Sequence, residues 1–164
     1  MKSILIRYSL ALLAILGFGA FSFVLLPLTL YTSFFLLKIF TEVSLAGNTI
    51  TVSSVPFTFI PACAATIAYL LLLTLILFTR GISLQKGMKM FFLGAIMIFC
   101  LNILRITLLI LIYINYGKNY FDAIHIVFWH FVSSIFVAGV WIFLIEYYKI
   151  QNIPIVSDIK EMLK

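Results

Sequence analysis

The chain has 164 residues, 65% of them hydrophobic and 10% charged, with a formal net charge of +6 and a mean hydropathy of +1.24. A soluble domain is about 45–50% apolar and about 25% charged, so these totals exclude a soluble globular protein and indicate one embedded in lipid. The basic residues gather at the ends of apolar runs, where they set membrane topology; nothing in their placement suggests a nucleic-acid partner.

The chain starts with a short basic segment, MKSILIR, followed by an apolar run from Tyr8 to Phe40. Pro27 and the patch Tyr31-Thr32-Ser33 break the run. A basic start before an apolar stretch also suits a signal peptide. The run is too long for that and shows no clean cleavage site, so it reads as a retained helix. One span needs about 20 residues, which leaves room for a re-entrant or interfacial piece at 28–40. Residues 41–60, TEVSLAGNTITVSSVPFTFI, form the most polar interior stretch. Thr49 to Ser53 alternates in a strand-like way after the turn-prone Gly47-Asn48, which predicts a short extended loop or hairpin on the outer surface. Pro56 and Pro61 both read as prolines at a helix start.

A second span is expected over Ala62–Thr79, then a short basic loop, RGISLQKGMK. A third runs from Met90 to Ile114, and a fourth from Ala123 to Ile145 after the polar turn NYGKNYFD. The expected fold class is an all-α, polytopic transmembrane helix bundle of about four spans. Residues 1–150 form its single domain and 151–164 a cytoplasmic tail, in which Asp158 and Glu161 have capping-box spacing. With the N-terminus in the cytoplasm, Lys2, Arg7, Arg80, Lys86, Lys89, Lys149, Lys160 and Lys164 all fall inside, whereas Lys38 and Lys118 fall outside. Both termini are then cytoplasmic.

This topology brings three scattered residues to the outer face. Cys63 begins the second span, Arg105 lies in the outer half of the third, and His125 falls in the first turn of the fourth, after Asp122 as its N-cap. An Arg in the hydrocarbon layer costs about 2.5–3.5 kcal/mol on insertion scales and is usually functional. Asn102, three residues earlier, shares its helix face. The bland reading is a structural Arg satisfied by carbonyls or lipid phosphate. A lone buried cysteine is most often a small hydrophobe, which suits Cys100. Cys63 stands apart because a helix N-terminus favours an anion and its alanine neighbours leave room for a substrate. His125 and His130 are about 140° apart around a helix and cannot share a face. Trp129 lies one turn below His125. His125 is favoured for chemistry, with His130 the alternative acid/base; the bland reading of either is a packed histidine.

A thiol, an imidazole and a cation in one layer suit thiol acyl transfer. No metal-ligand cluster, C-x-x-C pair or phosphate-binding glycine loop is present, so no cofactor is expected. The alternative is a non-catalytic membrane scaffold or small transporter subunit, its polar residues serving packing. A thiol–disulfide enzyme is disfavoured because Cys100 lies mid-span, far from Cys63.

The residues resemble the exosortase/archaeosortase family of membrane transpeptidases. The resemblance rests on Cys63 in PACAA after TITVSSVPFTFI, on Asn102 and Arg105 in NILRI, and on His125 in FDAIH, in the family's order across roughly residues 45 to 145. It implies a catalytic domain with Cys63 as nucleophile, Arg105 as transition-state stabiliser and His125 as acid/base. It also implies a C-terminal sorting-signal helix as partner, a lipid or other surface acceptor, and a multi-pass plasma-membrane location. Where the family often has Ser-Gly after the cysteine, this chain has Ala64-Ala65. Where a glycine is common one turn after the histidine, it has Trp129.

Overall fold

The computed structural model describes residues 9, 12, 17–79, 81–128 and 133–150. Residues 1–8, 10, 11, 13–16, 80, 129–132 and 151–164, and with them Arg80, Trp129, His130 and the tail, lie outside the described residues. In chain order the elements are α1 (Phe18–Phe40), β1 (Val43–Ala46), β2 (Thr49–Val52) and β3 (Val55–Thr58). A 3-10 turn (Pro61–Ala64) follows, then α2 (Thr66–Phe78), α3 (Leu84–Tyr116), α4 (Lys118–Val127) and α5 (Ser133–Tyr147).

The chain is mostly helical, and two of its helices have the length and composition to cross a membrane: α1, over Phe21–Phe40, and α3. Four spans are therefore not supported among the described residues. The second expected span is realised as α2, only 13 residues long, against the roughly 20 of an untilted span. Of the fourth, α4 of 10 residues and α5 of 15 are described, and residues 129–132 between them lie outside the described residues. Helix α1 does not break. It runs unbroken through Pro27 and the 28–40 stretch. A single proline removes one backbone bond, and neighbouring groups can re-satisfy what it frees.

The segment 41–60 is neither a plain loop nor a single hairpin, so the fold is not all-α. It is a three-stranded antiparallel sheet in the order β1-β2-β3, with Val43 opposite Val52, Leu45 opposite Ile50 and Ile50 opposite Phe57. Both connections have two residues. Gly47, at φ 57°, supplies the first positive φ of a II′-like turn, and Ser53 and Ser54, at φ 48° and 71°, give the I′ pattern. The serines occupy positions that usually need Asn-Gly, which concealed the second turn. Alternation sorts the faces: Val43, Leu45, Ile50, Val52 and Phe57 point to the core, while Ser44, Thr49, Thr51 and Thr58 point away. Pro56 belongs to β3 and starts no helix.

Two compact units emerge. One gathers Gly19–Thr66 with Phe99–Ser134. Its core joins Leu30 and Leu37 of α1, Ile50 and Val52 of β2, Phe59, and Ile106 and Ile110 of α3, with Cys63 packed against it. The other includes Ile67–Ile98 and the chain from Ile135. There a Cβ added at Gly94 would stand 2.6 Å from Leu72 Cδ2 and 2.8 Å from Leu144 Cδ1, so the glycine permits close helix approach. Lys86 Nζ donates to the Tyr148 carbonyl at 2.8 Å, satisfying a carbonyl just past the end of α5.

The interior is apolar with a few buried hydroxyls, and the exterior is apolar too. Phe23 is 82% exposed, and Phe92, Ile96, Leu104 and Leu108 recur every four or eight residues along the exposed side of α3, while Ser22, Thr29, Ser33, Asn102 and Thr107 are buried. Apolar side chains outside and hydroxyls inside fit lipid as the solvent.

Candidate active site

Cys63 is set by a local irregularity. The expectation placed it in the first turn of a long helix. Instead it lies in the four-residue 3-10 turn that Pro61 opens, and Ala65, at φ 52° and ψ 32°, separates that turn from α2. Cys63 thus precedes α2 and is not part of its first turn. Short bonds fix the turn. The Cys63 N–H donates to the Ile60 carbonyl at 2.8 Å. Asn102 Nδ2, from α3, donates to the Cys63 carbonyl at 2.8 Å. Just beyond, the Thr66 and Ser22 hydroxyls pair at 3.1 Å in the interior. Ala65 holds the left-handed conformation, disfavoured for any residue with a Cβ.

Asn102 is 5% exposed, and its Oδ1 is buried without a hydrogen-bond partner among the described residues. Its amide joins α3 to the cysteine turn, so the stripe seen in NILR does put Asn102 at the site. Arg105, one turn further along, comes within electrostatic reach of Cys63 and of His125.

His125 arrives by a different route from the one expected. Asp122 is not an N-cap: it lies inside α4, whose cap is Gly117 at φ 85° with no side-chain bond. Gly117 is also the only residue between α3 and α4, so the polar turn expected over 115–122 is almost wholly helical. A chain of aromatic contacts then sets the imidazole. Phe57 of β3 meets Tyr113 at 5.2 Å between ring centroids, Tyr113 meets Phe121 at 5.4 Å, and Phe121 meets His125 at 5.2 Å. Single aromatic residues in an apolar chain carry no such signal, and the sequence reading missed all three partners.

Cys63, Arg105 and His125 line one cavity of about 620 Å³, with Pro56 to Ile60 along one side and Leu109, Ile110 and Ile126 among its apolar walls. Cys63 and Cys100 are both free thiols, and Cys100 is exposed. Among the described residues no group of three His, Cys, Asp or Glu could hold a metal ion. The cavity thus presents a thiol, an imidazole and a guanidinium within an apolar pocket of ligand-binding size. No family model matches the chain, and no curated protein and no solved structure matches it either.

Proposed function

We propose that this chain is a membrane-embedded cysteine transpeptidase that cleaves the C-terminal sorting signal of surface proteins and transfers them to a lipid or other surface acceptor. The observation that carries the reading is the convergence of Cys63, Arg105 and His125, far apart in sequence, on one cavity. The resemblance in PACAA, NILRI and FDAIH supplies the reaction class. His125 takes the Cys63 thiol proton as Sγ forms a bond to the scissile carbonyl carbon. Arg105 stabilises the oxyanion. The C–N bond breaks, and His125 gives the proton to the leaving amine, leaving a thioester. The acceptor's hydroxyl or amine then attacks that thioester. Its proton passes to His125 and on to the departing thiolate, which restores Cys63.

The location that fits is the plasma membrane, multi-pass, with both termini cytoplasmic and the cavity near the outer face. Lys86 and Lys89 at the start of α3 favour the cytoplasmic side. Arg105, 11 residues before Tyr116 at the helix end, lies about 17 Å from it at 1.5 Å per residue, and a guanidinium can snorkel toward headgroups.

The test is Cys63→Ala and His125→Ala in the producing cell. Each variant should insert normally while precursors that end in a motif, an apolar helix and a basic tail accumulate. Mass spectrometry of the wild-type protein should trap a thioester on Cys63. An unchanged set of surface proteins in both variants would favour the scaffold or transporter-subunit reading.

A further inference from the structure

The cavity has a side that the three reactive residues do not explain. β3 is an outer strand of the sheet, so among the described residues one of its edges has no strand beside it. The register shows which backbone groups face that edge. Val52 and Val55 flank a two-residue turn and are paired, so they exchange hydrogen bonds across it. Pairs then alternate along an antiparallel ladder: Thr51–Pro56 is non-bonded, Ile50–Phe57 bonded and Thr49–Thr58 non-bonded. The Thr49 and Thr58 hydroxyls, 3.0 Å apart, match the closer approach of a non-bonded pair. Phe59 keeps the alternation, its N–H donating to the Asn48 carbonyl at 2.8 Å.

The Pro56 carbonyl and the Thr58 N–H and carbonyl therefore point away from β2. Proline stands where its missing N–H removes no ladder bond. Pro56 and Thr58 are exposed, and the stretch from Pro56 to Ile60 lines the cavity with Cys63. The backbone is still extended at Ile60, at φ −114° and ψ 163°, just before the cysteine turn. Of the devices that blunt an open edge, β3 has shortness and one proline but no charge, so the Thr58 N–H and the outward carbonyls stay available.

We propose that the open edge of β3 receives the substrate as an added strand, so that an extended peptide segment lies along Pro56–Thr58 and delivers its scissile carbonyl to Cys63. The occupant is the segment just before the substrate's apolar anchor helix, and the proposal rests on the transpeptidase reading. Backbone bonds to the Pro56 carbonyl and to Thr58 hold any sequence. Alternate side chains entering the apolar cavity confer the preference.

The experiment uses the full chain with Cys100→Ala, which leaves Cys63 as its single thiol. N-acetyl tetrapeptidyl chloromethyl ketones of varied sequence are compared with chloroacetone, which carries the same chloromethyl ketone and no peptide, by their rates of Cys63 alkylation. The best tetrapeptide should react about tenfold faster or more, the factor that one or two added hydrogen bonds provide. Methylating the probe nitrogens one at a time should remove that advantage at alternate positions only. Thr58→Pro, which deletes the outward N–H, should bring the peptide-to-chloroacetone rate ratio close to one, whereas Thr58→Ala should keep it. A peptide advantage indifferent to the methylated position or to Thr58→Pro, or no advantage at all, would overturn the edge. Processing in cells with a flat methylation pattern sinks only the edge; an alternating pattern without processing or thioester sinks the transfer reaction and leaves the edge standing.

Discussion

The two compact units use α3 in opposite ways. Toward its start, the helix offers Gly94 to Leu72, Leu144 and Val140, and contact there is a matter of shape. In its second half it buries Asn102 and Thr107 and carries Arg105 into a cavity. The same helix thus serves close packing in one unit and polar positioning in the other. Lipid tails are as apolar as leucine, so burying more leucine does little to hold helices together in a bilayer. The first unit answers with small residues and fit, the second with hydrogen bonds between elements, such as Asn102 to the Cys63 carbonyl.

Four substitutions test that division. Under the proposed transpeptidase reaction, Arg105→Gln should have the largest effect, lowering the transfer rate by about 10²–10³, the usual loss when an oxyanion donor is removed, with membrane insertion intact. Single-turnover kinetics on a processed precursor would measure it, and a rate within a few-fold of the parent would remove Arg105 from the chemistry. Gly94→Val should cost about 1–3 kcal/mol of stability by overpacking, read as a lower unfolding temperature in detergent. The rate per folded molecule should not change; a matching fall in rate would break the distinction between the units. Asn102→Ala should lower kcat about tenfold with little change in KM, because the bond it removes positions the cysteine turn and does not bind substrate. A change confined to KM would contradict that role. Ala65→Gly should be the mildest, stabilising by about 1 kcal/mol or less as the left-handed strain is relieved; clear destabilisation would argue against the positive φ.

The sequence made some of this legible and hid the rest for identifiable reasons. The apolar runs announced α1 and α3, because a lipid-facing helix must be apolar over its whole outward surface. NILR announced the polar face, because an arginine and an asparagine stand out against leucine. The strand-like stretch 49–53 was visible as a two-residue period. Its neighbours were not, since Ser53-Ser54 is an uncommon I′ turn and Pro56 looked like the start of a helix. The convergence of Cys63, Arg105 and His125 followed from depth alone. Their fixing depended on the 3-10 turn at Pro61, the Gly117 joint and the aromatic series from Phe57 to His125, none of which leaves a period or a motif. Only two of the four expected spans stand as long apolar helices among the described residues, because composition reports apolar length without reporting where a helix starts and stops, as the turn at Pro61 and Ala65 does for α2.

The apolar outward faces of α1 and α3 reverse the ordinary rule of tolerance for exposed positions. Serine or threonine is at home inside this molecule, as Ser22, Thr29 and Ser33 attest. The side chains that cannot be traded for a charge are the greasy ones on view, Phe23, Phe35, Leu104 and Leu108 among them, where lysine or aspartate would have to be dragged into oil. Repainting that outward stripe with polar residues, and leaving the interior alone, is accordingly the rational route to a version of the site-bearing unit that lives in water.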